Sequence, residues 1–412
     1  MMNQLEELIE NTEANEIKLH GTYKIVSNEN NHFAVGKSCM KGLIPINRSD
    51  VVIEGSDAEI EAEIYDCDLR DKSLFFIQPE ARNVEFRNLK IRVYLKNAVH
   101  TERLFALIYN TAYATKINNC LFEVYTDRQV NVAAVYNNGN HDTHMNTRAD
   151  NFTVNNCNIT ILCKTEEYEK ECTVYGIYNN LANSICVSDT YIYVANKGKG
   201  ERQKAVGIYT NGRFGRFVNN NIKANGLHNL GFDKEEAYAE AFINDGLYSI
   251  ISSNNIVSEW AGRSVGLKNS GDYAIVSGNK ILSTHTICGR CIENTGNAVR
   301  ITGNILTTTS RNARIVDLNA LHCVIADNHL EVLMPPSECP SGCGIYATGD
   351  RCIGNIVHDN VIRNVKDSGI IMNEKNNVIQ NNRLFDSGDA VALCAADETL
   401  IAKFDERNIK SY

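Results

Sequence analysis

Two acidic residues between positions 225 and 249, Asp233 and Glu240, are the side chains best suited to acid–base chemistry. Paired carboxyl groups suit the cleavage of a glycosidic bond, because one protonates the leaving oxygen while the other acts as nucleophile or base. Most of the acidic run DKEEAYAEA has the pattern of a solvated helical loop. Counting back from an inward Ile243, however, places Glu240 outward on a strand beside Asn244. Glu240 is therefore the candidate acid, and Asp233 is its candidate partner.

A second set of polar and aromatic residues follows from a repeated spacing of inward apolar residues. The residue after each inward position points outward, because side chains alternate along a strand. This outward row consists of Tyr178, Tyr209, Asn244, Lys268, Glu293, Asp317, Tyr346 and Ile371. Aromatic rings can stack on sugar rings, while carboxylates and lysine supply hydrogen bonds and proton transfer. The alternative is a solvent-facing sheet whose alternating charges stabilise one another.

The spacing of the carboxylates bears on the stereochemistry of such a reaction. Glu293 and Asp317 would lie on adjacent rungs, about 5 Å apart, which is the separation of a retaining pair. Glu240 and Glu293 would lie two rungs apart, about 10 Å, which is nearer the separation of an inverting pair. Both pairs remain open beside Asp233 and Glu240.

Two further residues, Trp260 and Arg263, occur in EWAGRSVGLKNS close to Lys268. Trp260 is the only tryptophan, and its place in a turn beside charged residues makes contact with a sugar as reasonable as a place in the core. Arg263 and Lys268 suggest a different reaction, in which a basic side chain abstracts the proton beside a uronate carboxyl group. On that alternative the protein would be a polysaccharide lyase or a uronate epimerase.

A recurring phrase, apolar–x–x–Asn–x–apolar, defines the elements that must position these side chains. Its asparagines are Asn220, Asn254, Asn279, Asn304, Asn328, Asn360 and Asn382, and the same place is held earlier by Cys120, Cys157 and Thr190. Several repeats are 22 to 25 residues long and consist of short β-branched runs separated by turn residues. No helical stripe occurs within a repeat, so the pattern predicts a parallel β-helix. Asparagine side chains stacked about 4.8 Å apart can form hydrogen bonds from one amide group to the next.

The repeats predict a single β-helix domain over residues 1–412. Residues 1–50 form an N-terminal cap and the first strands, and a short helix over 4–10 covers the open apolar end, as terminal caps must. Residues 51–396 form the coils, and residues 397–412 form a C-terminal tail.

The composition limits the partners and the compartment. At 412 residues and 43% hydrophobic, the chain can bury an extensive core, and its net charge of −9 argues against a nucleic-acid partner. The N-terminal MMNQLEELIEN lacks the apolar core of a signal peptide, and no apolar stretch is long enough to cross a membrane. Several of the fourteen cysteines lie in strand-like apolar runs, as reduced thiols do in a cytosolic protein. We therefore expect a cytoplasmic protein.

Over roughly residues 50–396 the chain resembles the right-handed single-stranded β-helix superfamily, the pectate-lyase-like fold. The resemblance rests on the asparagine phrase and on the length of each coil. It implies an all-β, right-handed parallel β-helix that holds a carbohydrate along the outer face of one sheet. The superfamily contains lyases, glycoside hydrolases, epimerases, inulin fructotransferases and non-catalytic phage adhesins, so fold alone leaves the chemistry open.

In its length and in the carboxylates on a loop near mid-chain, the chain also resembles the inulin fructotransferase and difructose-anhydride hydrolase group. This resemblance implies cleavage or transfer of a glycosidic bond in an imported oligosaccharide, such as one derived from a fructan. It also implies a homotrimer. No cofactor is predicted. A non-catalytic carbohydrate-binding β-helix is the alternative from a different class, and it predicts no carboxylate pair at reactive separation.

Two patterns resemble metal sites. The motifs CGRC (Cys288, Cys291) and CPSGC (Cys339, Cys343) lie two coils apart, so ordinary thiols explain them better than a zinc site. The motif HDTH, with His141 and His144, falls in a long loop. No metal is predicted.

Overall fold

A computed structural model describes most of the chain. The described residues are 4–27, 34–35, 41–65, 72–97, 104–128, 130–139, 149–164, 171–197, 203–226, 237–334, 341–373, 376–386, 388–394, 400–403 and 409–411. The chain divides into two compact units, Met1–Arg216 and Phe217–Tyr412. No helix in the described residues is long and apolar enough to cross a membrane. That the chain forms a single domain stays a prediction.

The first unit begins with the predicted helix, α1 (Gln4–Asn11). Its apolar residues Leu5 and Ile9 lie four positions apart, on one face, and both are buried. The end of the helix is held by Arg48, whose guanidinium donates hydrogen bonds to the backbone carbonyls of Thr12, Glu13 (3.1 Å) and Ala14 (3.0 Å). A cation at this position also complements the negative end of the helix dipole.

The rest of the first unit consists of strands, most of them short. They are β1 (Glu16–Ser27), β2 (Ala34–Val35), β3 (Lys41–Ile46), β4 (Val52–Tyr65), β5 (Lys72–Ile77), β6 (Glu85–Arg87), β7 (Lys90–Lys96), β8 (Phe105–Asn110), β9 (Lys116–Asn118), β10 (Leu121–Thr126), β11 (Val132–Asn138), β12 (Thr153–Asn155), β13 (Asn158–Cys163), β14 (Cys172–Asn180), β15 (Cys186–Ser188), β16 (Tyr191–Asn196) and β17 (Gln203–Thr210). From β5 onward, each strand pairs in parallel with the strand three later in the chain, so each coil contributes three strands.

The strand β18 (Arg216–Val218) crosses the boundary between the units. The second unit contains β19 (Asn221–Asn225), β20 (Tyr238–Asn244), β21 (Ile250–Ser252), β22 (Asn255–Asn269), β23 (Ile275–Ser277), β24 (Lys280–Asn294), β25 (Arg300–Thr302), β26 (Ile305–Thr308), β27 (Asn312–Leu318), β28 (Val324–Ala326), β29 (His329–Val332), β30 (Ser341–Ala347), β31 (Ile356–His358), β32 (Val361–Arg363), β33 (Ser368–Asn373), β34 (Val378–Gln380), β35 (Arg383–Phe385), β36 (Asp389–Cys394), β37 (Leu400–Lys403) and β38 (Ile409–Ser411). Its coils also stack in parallel, and the antiparallel pairing of β36 with β37 is an exception. The predicted right-handed parallel β-helix with an N-terminal helix is confirmed.

The predicted asparagine ladder lies inside the second unit. The side-chain amide of each member donates to the Oδ1 of the next, at 2.9 to 3.0 Å, from Asn220 to Asn382. The backbone N–H of Asn254 and of Asn279 also donates to the next side chain, in each case at 2.9 Å. The ladder therefore satisfies polar groups that would otherwise be buried without partners.

A second asparagine ladder in the same unit was not predicted. The amide of Asn244 donates to Asn269 at 2.5 Å, and that of Asn269 donates to Asn294 at 2.6 Å. Asn244 is fully buried. The prediction that Asn244 points outward is therefore wrong, because the residue that pairs with Lys268 in the outward row is Ile243.

Candidate functional site

The second unit contains the predicted outward row. Ile243, Lys268, Glu293, Asp317 and Tyr346 are successive partners across the stacked strands. The preceding residues, which include Leu267, Ile292 and Val316, are fully buried in the core. The register that sequence periodicity predicts for this sheet is therefore confirmed from Lys268 onward.

Glu240 faces the same side of the sheet as the outward row, although strict alternation along its strand would not place it there. Counting back from the buried Phe242 would turn Glu240 inward. In the neighbouring strand, however, Gly266 and Leu267 both face the interior, since a Cβ at Gly266 would lie 2.2 Å from the side chain of Ile281. Two consecutive inward residues shift the alternation of side chains by one position. The side chain of Glu240 therefore lies on the same side of the sheet as the outward row.

The carboxyl group of Glu240 is the most buried acid of this face. The residue is 3% exposed, and its Oε1 lies 3.5 Å from Nζ of Lys268. The side chain of Lys268 is 39% exposed, so one end of this ion pair opens to solvent. Because burial of a carboxylate is costly unless it has charged or hydrogen-bonding partners, this acid has a local environment unlike that of an ordinary surface glutamate.

Arginines bracket the next two carboxylates of the row. The guanidinium of Arg263 donates to Glu293. That of Arg290 lies 2.6 Å from Oδ2 of Asp317 and 3.9 Å from Oε2 of Glu293. Arg314 is a second partner of Asp317, at 3.4 Å. Glu293 and Asp317 are adjacent across the strands, as predicted, but both are engaged by cations.

The pKa of Arg263 bears on the proton-abstraction alternative. Burial alone would lower this pKa, but the charge of Glu293 and the hydrogen bond to it outweigh burial and raise the pKa above its ordinary value. Arg263 therefore keeps its proton and cannot serve as a general base. Among the described residues, its Nε has no hydrogen-bond partner.

A pocket of about 380 Å³ opens at the far end of the row. The guanidinium of Arg314 stacks over the ring of Tyr346, with its central carbon 3.6 Å from the ring centre. Arg290, Cys288 and Asp367 also line this pocket. The pocket is therefore mainly polar, and it includes one aromatic ring, which is paired with a guanidinium.

Sequence reasoning did not select Arg290, Arg314 or the pocket. A signal was available, because RCIE (290–293) and RIVD (314–317) repeat an arginine three residues before the outward acid. The reversed alternation puts residues three apart on the same side of the sheet. Period-2 counting assigns them to opposite sides, so the arginines were overlooked.

In the first unit the outward row is aromatic. Tyr109, Tyr136, Tyr178 and Tyr209 follow one another with ring centres 4.8 to 4.9 Å apart. This spacing matches the separation of paired strands, so each ring packs on the next. Tyr109 and Tyr136, and Tyr136 and Tyr178, meet edge to face at interplanar angles of 80° and 67°, whereas Tyr178 and Tyr209 stack at 20°. Tyr178 and Tyr209 are half-buried, as an outward row predicts.

Trp260 lies at a surface bend. It is 44% exposed and stacks on His285, with ring centres 4.1 Å apart and an interplanar angle of 8°. Both residues have a positive φ, 54° and 52°, where the strands β22 and β24 turn a corner. Of the two placements open for this tryptophan, the structure therefore shows the exposed one.

The structure does not test every predicted residue. Asp233 lies outside the described residues, as do His141, His144 and Cys339. Cys291 is fully buried in the interior, and burial raises the pKa of its thiol. Within the part of the chain that the structure describes, no group of three or more His, Cys, Asp or Glu side chains is placed to hold a metal ion.

No protein-family profile and no curated protein sequence matches this chain. Among solved structures, a DFA-IIIase from Arthrobacter chlorophenolicus A6, without its lid and in complex with GF2, is 10% identical with a TM-score of 0.45, over 95% of this chain and 88% of its own. A mutant tailspike protein of E. coli bacteriophage HK620 in complex with a hexasaccharide is 12% identical with a TM-score of 0.43, over 96% and 74%. The A-module of the Azotobacter vinelandii mannuronan C-5 epimerase AlgE6 is 9% identical with a TM-score of 0.30, over 100% and 93%.

Proposed function

We propose that the outward face of the second unit binds an oligosaccharide and that Glu240 transfers a proton in the cleavage or transfer of a glycosidic bond. The observation that carries the proposal is the buried carboxyl group of Glu240, 3.5 Å from Lys268 on a face lined with further carboxylates and arginines. Buried acids in partly water-excluded sites are typical of general acid–base catalysis.

The groups around Glu240 suit a polar, uncharged ligand with many hydroxyl groups. Guanidinium and carboxylate groups alternate along the face, so they offer hydrogen-bond donors and acceptors in turn. Tyr346 supplies an aromatic ring at the end of the row. A sugar chain laid across the strands would meet a guanidinium and a carboxylate together on β24 and again on β27.

The reaction needs a second carboxyl group. Asp233 remains the proposed partner of Glu240. Glu293 is the alternative among the described residues. Its engagement by Arg263 and Arg290 suits a carboxylate that stabilises positive charge, rather than one that donates a proton.

The lyase and epimerase alternative has less support. Arg263 keeps its proton, so Lys268 would have to be the base. In addition, Arg263, Arg290 and Arg314 each face a carboxylate of the protein already. A uronate carboxylate would have to displace one of these pairs, and so we favour the glycosidic reaction. A fructan-derived substrate, a homotrimer and a cytoplasmic location stay predictions.

The test is incubation of the purified protein with fructo-oligosaccharides, difructose anhydrides and uronate oligomers, followed by product analysis. We expect cleavage or transfer products from an uncharged substrate, and a loss of roughly 100-fold or more in turnover for Glu240→Gln, the scale of a lost general acid or base. An unsaturated product absorbing in the ultraviolet would instead establish the lyase reaction.

Glu259→Gln is a matched control. Glu259 is also buried in the second unit and also paired with a lysine, with Lys223 Nζ 2.7 Å from its Oε1. We expect this variant to keep turnover within about twofold, since Glu259 is not assigned to the reaction. Equal losses in the two variants would show that burial of a charge, not catalysis, explains the effect.

A further inference from the structure

The first unit contains a second pocket, on a different sheet from the tyrosine row. It has a volume of about 360 Å³, and its lining includes Tyr94, Tyr125, Leu162, Lys164 and Lys197. These residues belong to, or directly follow, β7, β10, β13 and β16, whereas the tyrosine row lies on β8, β11, β14 and β17. The pocket is therefore separate from the face considered above.

The floor of the pocket is an interrupted aromatic stack. Tyr94 and Tyr125 are partners on neighbouring strands, and their rings stack with centres 5.2 Å apart and an interplanar angle of 14°. The next residue in the same register is Leu162, which has no ring. The ring of Tyr125 is therefore followed by an aliphatic surface, and a ligand ring could continue the stack there.

The rim of the pocket is cationic. Lys96, Lys164 and Lys197 lie two residues beyond this floor, on the same side of the strands, with Asp127 among them. The backbone N–H of Lys164 donates to Thr126 at 3.0 Å and that of Lys197 to Cys163 at 2.8 Å, so the two lysines lie on neighbouring rungs. Their backbones are then about 4.8 Å apart, close enough for both ammonium groups to reach one anion.

The charged groups on the rim differ in whether they already have partners in the protein. Lys96 is engaged by Glu63 at 3.3 Å and by the hydroxyl of Tyr65 at 3.0 Å. Asp127 accepts a hydrogen bond from the backbone N–H of Asn97. Within the described residues, by contrast, no carboxylate lies within ion-pair distance of Lys164 or Lys197. These two lysines are therefore the ones placed to receive an anion from outside the chain.

We propose that this pocket binds an anionic sugar, that is, a sugar ring bearing a carboxylate or a sulfate. The ring packs on Leu162 and against the face of Tyr125, and the anionic group lies between the ammonium groups of Lys164 and Lys197. This site is distinct from the one around Glu240, and it does not depend on the proposed reaction.

Binding to the full-length protein can be measured by calorimetry with D-glucuronate, D-glucose 6-sulfate, D-glucose and inorganic sulfate. We expect both charged sugars to bind at least about tenfold more tightly than glucose or sulfate alone, and added salt to weaken that preference. A stronger signal from glucuronate or from the sulfated sugar identifies which anion the pocket prefers. Equal binding of glucose and the charged sugars, or sulfate binding as tightly as they do, would overturn the proposal.

Variants locate the site. Lys164→Ala combined with Lys197→Ala should abolish the preference for charged sugars, whereas Tyr125→Ala should weaken the binding of charged and uncharged sugars alike. Lys116→Ala, an exposed lysine of the same unit on β9, is the control and should leave binding unchanged. Because Lys164 is exposed and Lys197 half-buried, a thermal melt should show that the double variant is folded. A folded double variant with unchanged preference would contradict the assignment.

Discussion

At the scale of residues, the candidate site is a set of charges whose burial differs. Glu240 is nearly inaccessible, while the side chain of its partner Lys268 is partly exposed. Sequence alternation identified Lys268, Glu293 and Asp317 as outward, but it could not show which arginine each acid meets. That depends on the two consecutive inward residues near Gly266, which no period-2 pattern contains.

Burial also predicts which arginine of the row matters more for stability. Arg290 has a side chain 16% exposed and contacts both Glu293 and Asp317, whereas the side chain of Arg314 is 39% exposed. Arg290→Met should destabilise the protein by about 1–3 kcal/mol, because it removes a cation that two partly buried carboxylates share. Arg314→Met should cost less than about 1 kcal/mol. Denaturant unfolding of the two variants checks the order, and equal losses would contradict it.

The ladder from Asn220 to Asn382 should contribute to stability through each of its buried members. Asn279 donates to Asn304 and to the carbonyl of Ile251, and it accepts from Asn254. Asn279→Ala should destabilise the protein by about 2–4 kcal/mol, since it leaves a cavity and buried groups without partners.

A pair of surface asparagines supplies the control for Asn279. The side-chain amide of Asn255 donates a hydrogen bond to Oδ1 of Asn221 at 3.1 Å, but this pair is exposed. Asn255→Ala should therefore change stability by less than about 0.5 kcal/mol. If unfolding experiments show similar losses for Asn255→Ala and Asn279→Ala, the ladder does not carry the stability assigned to it.

At the scale of elements, the repeated asparagine phrase was sufficient to predict the strands and the parallel stacking. The phrase reports directly on hydrogen bonds between coils, and hence on register. The inward ladder through Asn244 was missed because its members stand at the ends of strands, where the same residue type also serves turns. The pocket beside Tyr125 was missed as well, because it depends on an aromatic column that ends at Leu162.

The stability of the N-terminal helix α1 should depend on Arg48. Arg48→Ala removes the hydrogen bonds that the guanidinium donates to the carbonyls of Thr12, Glu13 and Ala14, directly after α1. The helix should then open more readily, by roughly 1 kcal/mol, while the strands are unaffected. Hydrogen exchange should show faster exchange at the amides of α1 only. Arg48→Lys keeps the charge and should show a smaller effect, and unchanged exchange in Arg48→Ala would contradict the capping role.

At the scale of the whole molecule, buried thiols link the fold to pH. Burial raises the pKa of Cys343 to about 12 and that of Cys323 to about 11. A raised pKa means that the folded state favours the neutral thiol. The resulting stability is complete below the pKa of an unfolded cysteine, about 8.5, and is lost as the pH rises through the folded values.

Thermal unfolding should therefore show a falling midpoint above about pH 9. Alkylation of the native protein with iodoacetamide at pH 8 should be slow at these thiols and should become rapid after unfolding. A midpoint that holds constant to pH 11, or equal alkylation of the folded and unfolded protein, would contradict the burial argument.

The proposed role of Glu240 in the reaction of a bound oligosaccharide is tested by measuring binding and turnover separately. Once a substrate is found among the uncharged oligosaccharides, its affinity for Glu240→Gln should stay within about threefold of the original protein while turnover falls by about 100-fold or more. Loss of turnover with retained binding is the result that we predict. Unchanged turnover in a folded Glu240→Gln variant would contradict the account.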